Sequence, residues 1–336
     1  MMATVEKMTL SEAEQLICDA LIGVGARAAV ALSVSRALVA AESEGQVGHG
    51  FSRLEDYAAQ LKSGKINPKA EIRVQSPFPA SISIDADCGF AYPALDEAIE
   101  RGAEAAHLYG IASMSIFNSH HCGALSIQVE KLAQKGLIGM MVANTPKAIA
   151  PWGAAEAQFG TNPIAFAVPR ADAPDLVMDL SLSKVARGKV MNASKSGQTI
   201  PEGWALDSAG NPTTDPAAAL QGTMVPIGEA KGTALALMVE TLAAVHTGSS
   251  LSSAAGSFFN ASGPPPRVGQ FLLAIKPGQK ADGEGFANRF EQLLGEINAA
   301  QGARLPGQRR LKAREAAQSE GLAVPSAYVD IARRLA

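Results

Sequence analysis

Two side chains four positions apart, His49 and Arg53, are the residues of this 336-residue chain best suited to chemistry on a small acid. Imidazole titrates near neutrality and can donate or accept a proton in a transition state. A guanidinium grips a carboxylate through two parallel hydrogen bonds. Together they suit a small carboxylic acid with a reducible neighbouring atom. Gly48 and Gly50 free the backbone on both sides of the histidine. A helix starting near Phe51 would let His49 and Arg53 project to one side. The competing local reading is a loop histidine beside a surface arginine.

A second set of residues could hold an anion. An apolar strand at 111–117 delivers Asn118-Ser119-His120-His121-Cys122-Gly123-Ala124 into the start of a helix running to about Gln134. Free backbone amides and a positive dipole end there fit a phosphate or pyrophosphate. Lys231 opens another helix and could hold the same kind of group, or be a solvated lysine. The one locally basic run, 304–314, could meet an adenosine phosphate or simply start a solvated helix. Adjacent His120 and His121 raise zinc, but consecutive residues do not usually face one ion, and no acid sits at the spacing a metal helix needs. Asp85 and Asp87 lack a third ligand nearby and mark a turn, and His107 lies on an alanine-rich helix as a surface or packing residue.

These residues need elements to position them. Residues 9–22 read as a helix, with Ser11 and Glu14 in capping-box spacing, and 28–44 as a second one ending at a left-handed Gly45. The glycines of Gly23-Val24-Gly25 follow a helix, so they are no dinucleotide fingerprint. Two strands flank Pro77-Phe78-Pro79, a helix covers about 93–107, and strands follow at 137–143, 164–168 and 175–179. Residues 189–191 read as the partner of 175–179 or as a helix, and the short intervals here favour antiparallel pairing, because parallel partners need longer crossovers. Residues 197–223 read as one long structureless stretch. A helix at 228–246, a strand at 271–275 and an amphipathic helix at 286–297 complete the pattern.

Composition narrows the classes. A net charge of −3 leaves no electrostatic footprint for nucleic acid. Three scattered cysteines, Cys18, Cys88 and Cys122, argue against a disulfide framework or a structural zinc site. The first residues lack the apolar core of a signal peptide, and no stretch reaches the roughly 18 apolar residues of a membrane span, so a cytoplasmic protein is expected.

Several segments in order resemble the type 2 malate/L-lactate dehydrogenase family: Gly48-His49-Gly50-Phe51-Ser52-Arg53, Asn118-Ser119-His120-His121, Phe159-Gly160-Thr161-Asn162-Pro163, Pro201-Glu202-Gly203, Pro212-Thr213-Thr214-Asp215-Pro216, Lys231-Gly232 and Leu305-Pro306-Gly307-Gln308-Arg309. Within it the chain looks most like the reductases of Δ1-piperideine-2-carboxylate and Δ1-pyrroline-2-carboxylate. The resemblance implies an α/β (α+β-like) fold with a non-Rossmann, mostly antiparallel cofactor domain and a helical N-/C-terminal domain. It divides the chain into 1–120 with 267–336, and 121–266. It implies a homodimer acting on a small 2-imino or 2-oxo acid, with NADPH as cofactor, NADH as the alternative, and no metal. By position, His49 is the proton donor, Arg53 the carboxylate clamp and Asp179 the acid behind the histidine, with Gly48 and Ser52 beside the substrate. Cofactor contacts fall on His121, Cys122, Gly123, Ala124, Leu125, Thr161, Asp179, Leu180, Ser181, Lys231, Arg304, Arg309 and Arg310. One position departs: the reductases commonly carry serine before the histidine, and here it is Gly48. Ser52 is expected to substitute for the missing hydroxyl. A related 2-hydroxy acid dehydrogenase, a catalytically weak dinucleotide binder and a metal-dependent hydrolase are the alternatives.

Overall fold

The computed structural model describes residues 4–278 and 285–336. Strand β1 (Val5–Met8) leads into helices α1 (Leu10–Gly23) and α2 (Ala28–Ser43), and two 3-10 turns then precede α3 (Leu54–Ser63). The hairpin β2 (Arg73–Phe78) and β3 (Ser81–Asp85), helix α4 (Ala91–Tyr109), β4 (Ile111–Ser119), α5 (Leu125–Gln134), β5 (Ile138–Ala143), β6 (Ile164–Val168) and β7 (Leu176–Leu180) follow. Next come α6 (Arg187–Ser196), the short strands β8 (Ala205–Leu206) and β9 (Pro212–Thr213), α7 (Pro216–Gln221), β10 (Thr223–Met224) and α8 (Ala230–Glu240), which runs on into a π turn. The chain closes with β11 (Val268–Ile275), α9 (Phe286–Ala299), α10 (Gln308–Glu320), β12 (Leu322–Pro325) and α11 (Ser326–Leu335).

A seven-stranded sheet in the order β2-β3-β4-β11-β5-β6-β7 is the centre of the molecule. All its pairings are antiparallel except β3 with β4. Alternation along each strand assigns the two faces. Gly139, Met141 and Ala143 of β5, with Leu272 and Ala274 of β11, lie toward α4 and α5; Met140 and Val142, with Phe271 and Leu273, lie toward the α6–α8 side. A third core joins α1–α3 to α11 and to β1 and β12, so the two ends of the chain pack together. Strand β11, grouped with the terminal segments from sequence, sits in mid-sheet between β4 and β5.

Several local expectations shift. The capping box of α1 is Thr9 with Glu12, not Ser11 with Glu14: Thr9 is the extended residue, and Glu12 Oε2 accepts from its amide at 2.7 Å. Residues 187–196 form helix α6, which decides the strand-or-helix alternative left open for 189–191. The long stretch 197–223 holds α7 and strands β8 and β9 of a three-stranded sheet that β10 completes, whose two-residue strands are too short to leave a pattern. Asp85 and Asp87 make the expected turn, with Asp85 Oδ1 accepting from the amide of Asp87 and from Asn118 Nδ2. His107 is exposed, with Nε2 3.0 Å from the Lys135 carbonyl. Among the described residues no helix is long and apolar enough to cross a membrane.

Candidate active site

The backbone around His49 is tighter than one helix start. Val47–His49 and Phe51–Arg53 are separate 3-10 turns, and α3 begins only at Leu54. Gly50 separates them at φ −104, ψ −134. Its missing side chain matters, because a Cβ there would run into the Glu42 carboxylate. That carboxylate instead accepts from the Phe51 amide at 2.9 Å, tying the loop to α2. Gly48 is different, since a Cβ on it would meet nothing within 4 Å.

His49, Arg53 and His121 come together here. The rings of His49 and His121 stack with centroids 5.3 Å apart and planes 9° apart. His49 is half-buried, and its Nδ1 is enclosed without a hydrogen-bond partner among the described residues. Desolvation first, and then the charge of Arg53, push its pKa down to about 4. Arg53 donates Nε–H to the Gly48 carbonyl at 2.8 Å and lies over the Phe259 ring at 4.8 Å. Among the described residues its terminal nitrogens make no hydrogen bond, Nη1 lying 3.8 Å from the Asp56 carboxylate, so the fork is open to an acid.

Behind these groups is a buried polar layer that the local motifs did not flag. The Tyr57 hydroxyl lies 2.6 Å from His121 Nδ1 and 2.9 Å from the Tyr92 hydroxyl. Burial pushes both phenols up and His121 down, so all three are uncharged at neutral pH. One ordering satisfies them: Tyr92 donates to Tyr57, and Tyr57 to His121 Nδ1. His120 is also buried, its Nε2 2.6 Å from Gln60 Oε1, with desolvation and then Lys65 and Arg53 lowering its pKa to about 3. Tyr57 and Gln60 stand four and seven residues after Arg53, a helical stripe that could have marked them from sequence.

The expected cofactor residues fall into two groups. Thr161, Ser181 and Lys231 belong to segments laced together, with Leu182 N–H donating to Thr161 O and Ile227 N–H to Leu182 O, both at 2.8 Å. Asp179 and Leu180, at the end of β7, are exposed. Lys231, Arg304 and Arg309 are exposed cations without an ion-pair partner among the described residues. Gly307 packs against the Val177 carbonyl, which sets the 304–309 run beside β7. An open fork beside a histidine, together with unpaired cations along the β6–β7 end of the sheet, fits a dinucleotide carrying phosphates.

Other positions differ from expectation. His121, Cys122, Gly123, Ala124 and Leu125 are buried, and Leu125 begins α5. The Ser126 amide near that helix start donates to Asp179 at 2.8 Å, so the chain's own carboxylate caps the amide expected to face pyrophosphate. Asp179 does not bond His49 directly: Ser126 Oγ accepts from Gln46 Nε2 at 2.9 Å, and the Gln46 carbonyl accepts from the His49 amide at 2.8 Å. Ser52 donates to the Val47 carbonyl at 2.6 Å, leaving the histidine without that hydroxyl. Arg310 is buried between Glu44 (2.7 Å) and Glu130 (2.9 Å), where it and Arg314 fasten α10 to α2 and α5 rather than facing a cofactor. Among the described residues no group of three or more His, Cys, Asp or Glu could hold a metal ion.

A family model described as malate/L-lactate dehydrogenase matches residues 8–331. The chain is 47% identical over 329 residues, 98% of each chain, to a (2R)-3-sulfolactate dehydrogenase (NADP(+)) of Chromohalobacter salexigens. It is 39% identical to a Δ1-pyrroline-2-carboxylate/Δ1-piperideine-2-carboxylate reductase of Pseudomonas putida, over 96% of this chain and 94% of that one. Among solved structures, a Δ1-piperideine-2-carboxylate reductase from Pseudomonas syringae superposes with a TM-score of 0.93 at 34% identity, covering 98% of this chain and 100% of that one. A sulfolactate dehydrogenase from Methanocaldococcus jannaschii gives 0.90 at 30% identity, over 98% and 96%.

Proposed function

Because the chain belongs to the malate/L-lactate dehydrogenase family, we propose that it reduces a small cyclic 2-imino acid of the Δ1-pyrroline-2-carboxylate type, seated by its carboxylate on Arg53 beside His49. At the coarser level it is an NAD(P)-dependent oxidoreductase, and its named relatives act on small acids. The observation that carries the reading is the open Arg53 fork next to a partnerless His49 Nδ1. Thr161, Ser181, Lys231, Arg304 and Arg309 would hold the cofactor, and Asp179 would shape its edge. When bound, the nicotinamide supplies a hydride to the substrate's C2.

The chain's own part is charge and protons. In the free site His49 is neutral at pH 7, held down by burial and then by Arg53. A carboxylate arriving on Arg53 offsets the second of these causes and brings a negative charge close, which raises the histidine's affinity for a proton. Binding thus readies the donor. Gly48 favours the imine over a ketone, since no hydroxyl stands beside His49 to assist it, and a protonated imine needs less help from a general acid. A second reading, a 2-hydroxy acid bearing a sulfonate, is favoured by the 47% identity to the sulfolactate dehydrogenase.

Gly48→Ser tests the choice, because the added side chain has open space. The variant is expected to keep its thermal midpoint and to raise kcat/KM for sulfopyruvate relative to Δ1-pyrroline-2-carboxylate about tenfold, the effect of one hydrogen bond of ~1.4 kcal/mol. An unchanged ratio, or a wild type that prefers sulfopyruvate, overturns the imine reading.

We also infer a homodimer through the outward side of α8 and its π turn, where Leu235, Leu237, Met238 and Val245 are 37–63% exposed on a helix apolar all round. Sedimentation velocity should give twice the chain mass; a single-chain mass at all concentrations contradicts it.

A further inference from the structure

The polar layer under the site continues into a loop that neither motif nor mechanism has used. Residues 257–262 pass over α3 and are held there from below. Gln60, fully buried, donates Nε2–H to the Phe258 carbonyl at 2.8 Å. That carbonyl can only accept, so the other arm of the amide, Oε1, must face His120 Nε2 and fix the proton on that nitrogen. Lys65 is 2% exposed and aims its ammonium at the same loop, donating to Asn260 O and Oδ1 at 3.0 Å each and to Ser262 O at 2.9 Å. Its three donors thus have three acceptors, and no carboxylate is among them.

What this clamp presents to the site is aromatic. Phe258 is buried against both histidines, with ring centroids 5.4 Å from His120 and 5.2 Å from His121. Phe259, the next residue, is half-exposed and lies over the Arg53 guanidinium. The stripe Arg53, Tyr57, Gln60 therefore touches the loop or the histidines at each step, and Lys65 completes it two residues beyond the end of α3.

We propose that Phe259 is the specificity wall of the acid site and that Lys65 is the positioning residue that holds it there. This rests on the reading of Arg53 as the carboxylate clamp. A ring stacked on the guanidinium leaves the edge of the fork for one carboxylate and meets the remainder of the substrate with an apolar face. Lys65 has no donor left for a second anion, because the loop takes all three hydrogens of its ammonium. The site thus selects planar or compact acids with one anionic group and an apolar body over acids with a second anion.

Calorimetric titration of the NADPH-saturated protein with pyrrole-2-carboxylate, a planar ring monoacid, separates the two levels. Wild type should bind it and Arg53→Met should lose it; absence of binding to wild type overturns the clamp and the wall together. Phe259→Ala should weaken Kd about tenfold while NADPH affinity stays within twofold, and Phe259→Leu should recover part of the loss. Lys65→Met should weaken it similarly and raise amide hydrogen exchange at 257–262 alone, a readout that a general loss of stability does not give. If wild type binds, Arg53→Met does not, and both Phe259→Ala and Lys65→Met stay within twofold of wild type, the wall is wrong and the clamp stands.

Discussion

His49→Asn is expected to lower kcat for substrate-dependent NADPH oxidation by roughly 10²–10⁴-fold, the range for removing a positioned general acid, while NADPH affinity is unchanged. Asparagine keeps a polar side chain of similar reach at the stack with His121 but cannot deliver a proton. The pH dependence follows from the same residue. Reduction consumes a proton, so the wild-type rate should fall as pH rises through the pKa of His49 in the substrate complex, and that limb should be missing from the variant. Stability moves in the other direction. The unfolded histidine takes up a proton below its ordinary 6.5, whereas the folded one does so only near 4. Between those values the unfolded chain binds more protons, so stability is lost as pH falls from 6.5 toward 4. His120 and His121, lowered also by burial first, act in the same sense. Thermal midpoints from pH 7 to 4.5 should decline in the wild type and decline less in His49→Asn. An unaltered kcat in the variant would remove the histidine from the chemistry.

Arg53→Met should act on binding. Two charge-assisted hydrogen bonds to a carboxylate are lost, and ~3 kcal/mol is about a 100-fold change. The loss should appear mainly in KM, with NADPH affinity unaffected. Methionine fills the apolar space beneath Phe259 but leaves no cation. The substitution also removes the charge that helps depress His49, so the residual activity should have its basic limb at higher pH than the free site allows. A KM within threefold of wild type contradicts the clamp, whatever happens to kcat.

How much of this was legible in the chain depends on the distance over which each feature is decided. Helices α1 and α2 are local, and their glycine stops at 23–25 and 45 are where the sequence places them. That β7 pairs antiparallel was legible from the short intervals around it, although its partner is β6 and the 189–191 segment is helix α6. The position of β11 was not, since pairing with β4 and β5 is settled by partners well over 100 residues away. The same distinction runs through the site. His49 and Arg53 were marked by residue type and by the flanking glycines. Arg310 was assigned to the cofactor as part of a basic run, yet Glu44 and Glu130, distant in sequence, bury it. Ser52 had the right spacing to reach the histidine, but the break at Gly50 turns it to the Val47 carbonyl. Gln60 and Lys65 carry no motif that marks them in the sequence, because the loop that gives them meaning arrives 195 residues or more later.

The central claim is that one carboxylate sits on Arg53 with its reducible carbon beside His49. A crystal structure of the ternary complex with NADPH and pyrrole-2-carboxylate tests it most directly. The carboxylate is expected on the two terminal nitrogens of Arg53, with the ring between His49 and Phe259 and the nicotinamide on its open face. A carboxylate held by other residues, with no hydrogen bond to the terminal nitrogens of Arg53, would contradict it.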